Sequence, residues 1–117
     1  MSKPVYICRI DDISPNTGVC ALVAGQQVAL FRVATPEGES LYALANHDPF
    51  SKANVLSRGL LGSAGERLFV ASPVYKQRFD LCTGECLDHP ELRVQTWQVQ
   101  CLDGDIYVEP RSGQIAA

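Results

Sequence analysis

Apolar residues in this chain fall into short runs separated by turn-forming residues, and none recurs with a 3.6-residue period long enough to predict a helix. Residues 5–10 are β-branched and aromatic, and they end in a polar loop carrying Asp11-Asp12 and Pro15-Asn16-Thr17-Gly18. Two apolar runs, 18–24 and 27–34, flank Gly25-Gln26 and predict a hairpin with that pair as its turn. A turn follows over 35–39, with Pro36 and Gly38, and then a short strand over 41–45. The stretch 46–65, with Pro49, Gly59, Gly62 and Gly65, reads as irregular, and a loop that long in a small domain is often functional.

Strand character resumes over 67–71, is interrupted at Pro73, and continues over 76–81. Thr83-Gly84 predicts a tight turn into 85–87, and 93–102 with 105–109 flank Asp103-Gly104, the strongest hairpin signal in the chain. About ten short strands predict an all-β fold, an antiparallel β-sandwich or barrel. No internal repeat or low-complexity segment interrupts it.

The chain has 117 residues, a length that suits one domain, expected over 1–110 with a frayed tail at 111–117. A chain of this mass buries about two-thirds of its unfolded surface, enough for one core without disulfides. Hydrophobic residues at 46% against 20% charged exclude intrinsic disorder. The longest apolar stretch, 19–25, is too short to cross a bilayer, and the opening residues lack the apolar run of a secretory signal. Five cysteines, an odd number without framework spacing, point to reduced thiols, so a cytoplasmic location is expected.

The net charge of −3 disfavours a nucleic-acid partner. Its distribution is uneven. Residues 51–80 hold five basic side chains (Lys52, Arg58, Arg67, Lys76, Arg78) against Glu66 and Asp80, a balance of +3; the remainder holds five against eleven, a balance of −6. Such a region is either a solvated surface or a docking face for an acidic protein or an anionic ligand.

Few residues promise chemistry of their own. His47 and His89 stand among polar or turn-forming neighbours and read as solvated side chains. No catalytic triad and no phosphate-cradling glycine loop is legible. Cys82-x-x-x-Cys86-x-x-His89 places three possible zinc ligands around Thr83-Gly84, with Cys82 and Cys86 facing each other if 81–87 is a hairpin. Zinc needs a fourth ligand and none is obvious, so packing of small side chains is the favoured reading.

Two segments, considered together, carry more. One is Tyr42-Ala-Leu-Ala-Asn46-His-Asp48-Pro-Phe50 followed by Leu56-Ser-Arg-Gly59; the other runs Val70-Ala-Ser72-Pro-Val-Tyr75-Lys-Gln-Arg78-Phe79-Asp80-Leu-Cys-Thr83-Gly84. The pattern resembles the Rieske ferredoxin domain, in which C-P-H and C-P-x-H loops hold a cluster and the second runs into an Arg-Phe-Asp-x-x-Thr-Gly hairpin. The resemblance implies a Rieske-like sandwich or barrel with a smaller two-loop subdomain, here about 46–82. It puts Asp48 and Ser72 at the two cysteine positions and Phe50 and Tyr75 at the two histidine positions.

Rieske clusters need two thiolates and two neutral imidazoles. A carboxylate and two hydroxyls are hard oxygen donors, and Phe50 has no donor atom. The expectation is therefore no [2Fe–2S] cluster, no metal and no other cofactor on this chain. Phe50 and Tyr75 are expected to pack together in the vacated space, and Asp48 to accept a backbone N–H or cap the turn around 54–57.

A narrower similarity, over 5–109, is to the small subunits of bacterial assimilatory NAD(P)H-dependent nitrite reductases. It implies a large-subunit partner carrying FAD, a [4Fe–4S] cluster and sirohaem and reducing nitrite to ammonia. This chain would then be a non-redox accessory subunit without catalytic residues of its own, docking through Lys52, Arg58, Lys76 and Arg78. The alternatives are a Rieske-type electron carrier, or a freestanding binding module with no reductase partner.

Overall fold

The computed structural model describes residues 3–110. Its strands, in chain order, are β1 (Val5–Arg9), β2 (Thr17–Val23), β3 (Gln26–Thr35), β4 (Gly38–Ala45), β5 (His47–Asp48), β6 (Ala53–Asn54), β7 (Leu60–Ala64), β8 (Arg67–Ala71), β9 (Arg78–Asp80), β10 (Thr96–Leu102) and β11 (Asp105–Pro110). Two 3-10 turns, Ile10–Asp12 and Leu56–Arg58, are the only helical pieces among the described residues. The fold is Rieske-like and nearly all β. The expected tail, 111–117, lies outside the described residues.

Six strands form one antiparallel sheet in the order β1-β11-β10-β4-β3-β2, curled into a nearly closed barrel whose open seam lies between β1 and β2. A two-stranded piece, β5-β6, and a three-stranded sheet, β7-β8-β9, make the smaller part. Val28, Ala29, Leu30 and Phe31 on β3 are all buried, consecutive residues on both faces. Phe31 lies on the face that meets the subdomain. A Cβ on its partner Gly18 would stand 2.5 Å from the Phe31 ring and 2.8 Å from the Ser57 carbonyl. Only hydrogen at that position lets the first loop region, which carries Ser57, close onto the barrel.

Several sequence expectations shift. The β2–β3 turn is Ala24-Gly25, not Gly25-Gln26: Val23 pairs with Gln26, and Ala24 (φ 51°) and Gly25 (φ 81°) both take left-handed conformations, as a two-residue hairpin turn demands. Asp103-Gly104 does the same between Leu102 and Asp105, as its sequence indicates.

The stretch 46–65 is not irregular: it contains β5, β6, a 3-10 turn and β7, which pairs fully with β8. Gly62 had looked like loop composition, yet it sits in β7 beneath the Phe69 ring, where a Cβ would lie 2.8 Å from Cζ. The expected strand 85–87 reduces to single bridges, Phe79 to Cys86 and Glu85 to Arg93, so Cys86 faces Phe79 and not Cys82.

The Arg-Phe-Asp-x-x-Thr-Gly run is explained by Asp80. Its Oδ1 accepts the backbone N–H groups of Cys82 (2.7 Å) and Thr83 (2.9 Å), closing the turn, while Oδ2 accepts from Arg67 Nε at 2.7 Å. Arg67 also reaches Glu85 at 2.7 Å. Phe79 is wholly buried between these polar neighbours.

Candidate functional site: two matched loops

The loops that join β5 to β6 and β8 to β9 are built alike. In Asp48-Pro-Phe-Ser-Lys52 the Lys52 N–H donates to the Asp48 carbonyl at 2.7 Å, and in Ser72-Pro-Val-Tyr-Lys76 the Lys76 N–H donates to the Ser72 carbonyl at 3.1 Å. Each loop has proline second and a lysine in the left-handed region fifth, with φ 61° at Lys52 and 67° at Lys76. In each, the first side chain also accepts the N–H two residues on: Phe50 N to Asp48 Oδ1 at 2.9 Å, Val74 N to Ser72 Oγ at 3.2 Å.

The first residues meet. Ser72 Oγ donates to Asp48 Oδ2 at 2.5 Å, and Ser51 Oγ donates to the same oxygen at 2.9 Å. Asp48 and Ser72 are both fully buried. Burial pushes the Asp48 carboxyl up, but the donors from Ser72, Phe50 and Ser51 outweigh it and hold the group below its usual range. A buried, ionised, fully bonded carboxylate ties the two loop tips together. Asp48 thus accepts a backbone N–H, as expected, but does not cap the turn at 54–57.

That turn belongs to Asn46, which no sequence pattern marked. Asn46 is buried; its Oδ1 accepts from Ser57 N at 2.7 Å, and its Nδ2 donates to Gln27 Oε1 at 3.0 Å and the Asn54 carbonyl at 3.1 Å. Its backbone N–H donates to the Gln27 carbonyl at 3.1 Å, and its carbonyl accepts from Leu56 N at 3.1 Å. One side chain fastens the first loop region to the barrel.

The expected Phe50–Tyr75 pair does not form. Phe50 turns inward, its ring centroid 6.2 Å from Phe79 and 5.0 Å from His89. Tyr75 is 60% exposed. Apolar contact draws a phenyl ring to the Phe79 core, whereas a phenol keeps its hydroxyl in water unless a partner is at hand. His89, expected to be free in solvent, is exposed yet lies against Phe50 and within 3.8 Å of Glu91.

The basic residues of the subdomain divide into two kinds. Arg78 is taken up within the chain: its guanidinium meets Asp88 at 2.8 Å and lies 5.5 Å over the Phe69 ring. This hydrogen bond and charge hold Asp88 below the usual carboxylate range and Arg78 above its own. Lys52, Arg58 and Lys76 are exposed and have no carboxylate partner among the described residues.

A family model described as a Rieske-like [2Fe–2S] domain matches residues 4–109. The chain belongs to that family. Among its relatives, the nitrite reductase (NADH) small subunit of Salmonella typhimurium is 46% identical over 104 residues, covering 89% of this chain and 94% of its own. A nitrite reductase [NAD(P)H] large subunit from Klebsiella oxytoca is 45% identical over 102 residues, which are 87% of this chain but 10% of that protein. The solved structure of the Escherichia coli protein NirD superposes with TM-score 0.85 at 42% identity, covering 96% of this chain and 100% of that one.

The residues at the family's ligand positions do not fit a [2Fe–2S] cluster. They offer a carboxylate, a phenyl ring, a hydroxyl and a phenol, and the first and third are bonded to each other. Cys82, Cys86 and His89 do not assemble a substitute: Cys82 is exposed, Cys86 is buried, and His89 lies on Phe50. Among the described residues, no three or more His, Cys, Asp or Glu side chains group closely enough to hold a metal ion.

Proposed function

We propose that this chain is the non-redox accessory subunit of a nitrite reductase, binding a large subunit that reduces nitrite to ammonia with NAD(P)H. The observation that carries the reading is the Asp48–Ser72 bond, which occupies with oxygen the place where relatives of this fold need sulfur. FAD, a [4Fe–4S] cluster and sirohaem would reside on the large subunit, since side chains alone cannot deliver six electrons. The Klebsiella large subunit contains a region 45% identical to this chain, which supports the partnership. Its place of work is the cytoplasm, in keeping with five free cysteines, and no described helix is long and apolar enough to cross a membrane.

Docking falls to the positive side of the subdomain. Arg78 is neutralised by Asp88, which leaves Lys52, Arg58 and Lys76 as the charges free to steer an acidic partner. The test is reconstitution: nitrite turnover by the purified large subunit, measured with and without this chain, alongside iron analysis of the chain purified without oxygen. Turnover that rises on addition of an iron-free chain is the expected result. A rhombic EPR signal from the reduced chain alone, or turnover indifferent to its presence, overturns the reading.

A further inference from the structure

The apolar side chains at the tip of the second loop are not spent on the fold. Tyr75 is 60% exposed and Val74 44%, while the loop beneath them is rigidly held. Ser72 is bonded to Asp48, to Val74 N and, through its carbonyl, to Lys76 N; its own N–H donates to the Gln77 carbonyl at 2.9 Å. The tip is thus preorganised, and seating it against another surface costs little ordering entropy.

Each of the two loop tips carries a lysine. Lys52 and Lys76 close the two matched loops, joined through Asp48 and Ser72, and neither has a carboxylate partner among the described residues. Of the subdomain's carboxylates and those that reach it, Asp48 is buried, Asp80 and Glu85 are held by Arg67, and Asp88 by Arg78, while Glu91 lies 3.8 Å from His89. An exposed aromatic side chain on a held loop, next to the unpaired Lys76 and on the loop bonded to the one that Lys52 closes, has the chemistry of an interface anchor with a polar rim.

We infer that Tyr75, with Val74 beside it, inserts into an apolar pocket on the large subunit whose rim carries carboxylates for Lys52 and Lys76. The inference rests on the proposed function, because it names the surface by which that partner is held. Tyr75 then supplies most of the resistance to dissociation, and the two lysines supply the encounter rate.

The test is surface-immobilised large subunit and the full chain in solution, with rate constants read over a series of salt concentrations. Tyr75→Ala weakens binding about 30-fold or more, chiefly through faster dissociation, while Tyr75→Phe stays within about threefold. Lys52→Glu with Lys76→Glu slows association about tenfold at low salt and flattens its salt dependence. Leu22→Ser, at a 69% exposed site on β2 of the barrel, binds as the parent does. Binding of Tyr75→Ala within threefold of the parent, or equal loss from Leu22→Ser, overturns the anchor and leaves the accessory role standing. A parent chain that fails to bind the large subunit at all overturns the accessory role and the anchor with it.

Discussion

Ser72 Oγ and Asp48 Oδ2, 24 positions apart in sequence, are 2.5 Å apart in space and sealed from solvent, so a buried hydrogen bond joins the two loops. Removing Ser72 leaves a buried carboxylate one donor short, and removing Asp48 strands the Ser51 and Ser72 hydroxyls and the Phe50 N–H. We expect Ser72→Ala to cost about 2 kcal/mol in urea unfolding and Asp48→Ala about 3 kcal/mol. The double variant should cost clearly less than the sum, by about 1 kcal/mol or more, as a shared bond requires. Strict additivity would mean that the two loops are held apart from each other by independent contacts.

Acid should loosen the same lock. Asp48, Asp80 and Asp88 are all held below the ordinary carboxylate range in the folded chain by the hydrogen bonds they accept. A lowered folded value means that their stabilisation is present above the unfolded value, about 3.9, and is lost as pH falls through the lower folded one. Unfolding free energy from these groups is therefore flat near neutrality and declines below about pH 4. Asp48→Asn, less stable at pH 7, should show a shallower decline in a pH series of urea titrations.

Phe50 and Tyr75 make opposite predictions: Phe50 is third in its five-residue loop and turned inward, whereas Tyr75 is fourth in the matching one and turned outward. Phe50→Ala removes a half-buried ring from Phe79 and His89 and should cost about 2 kcal/mol, less than a fully buried phenylalanine does. It should also shift the His89 ring resonances in NMR spectra. Tyr75→Ala touches little within the chain and should change stability by about 0.5 kcal/mol or less. A large loss of stability from Tyr75→Ala would contradict its outward placement.

Asn46 holds the first loop region onto the barrel through both ends of its amide, so its replacement should be felt there first. Asn46→Ala should cost about 2–4 kcal/mol, since buried partners on Gln27, Asn54 and Ser57 are left unpaired together. Asn46→Asp keeps the acceptor for Ser57 N and loses the donors. Amide exchange in the two variants should separate these contributions: the 3-10 turn at Leu56–Arg58 opens in the alanine variant and is largely retained in the aspartate one.

Local chemistry carried a good part of this molecule into view before any coordinates. The runs of β-branched residues and the Asp103-Gly104 turn mark the barrel strands, because alternation and left-handed turn residues act over a few positions. That Asp48, Phe50, Ser72 and Tyr75 offer neither thiolate nor imidazole is also legible, since donor chemistry belongs to residue type. The strand β7 was hidden, because Gly62 is demanded by the Phe69 ring across the hairpin rather than by a bend in its own segment.

Which way a side chain turns was settled elsewhere. Phe50 goes inward because Phe79 and His89 are there to receive it, and Tyr75 goes outward from a loop with the same backbone pattern. Arg78 is neutral to a partner and Lys76 is not, because Asp88 comes back from a later turn to reach only one of them. Asn46 looks like any loop asparagine until Gln27, Asn54 and Ser57 converge on it. Residue types dictate which strands and donors are available, whereas contacts between distant segments choose among rotamers of similar local energy, and that choice exists only once the chain has closed on itself.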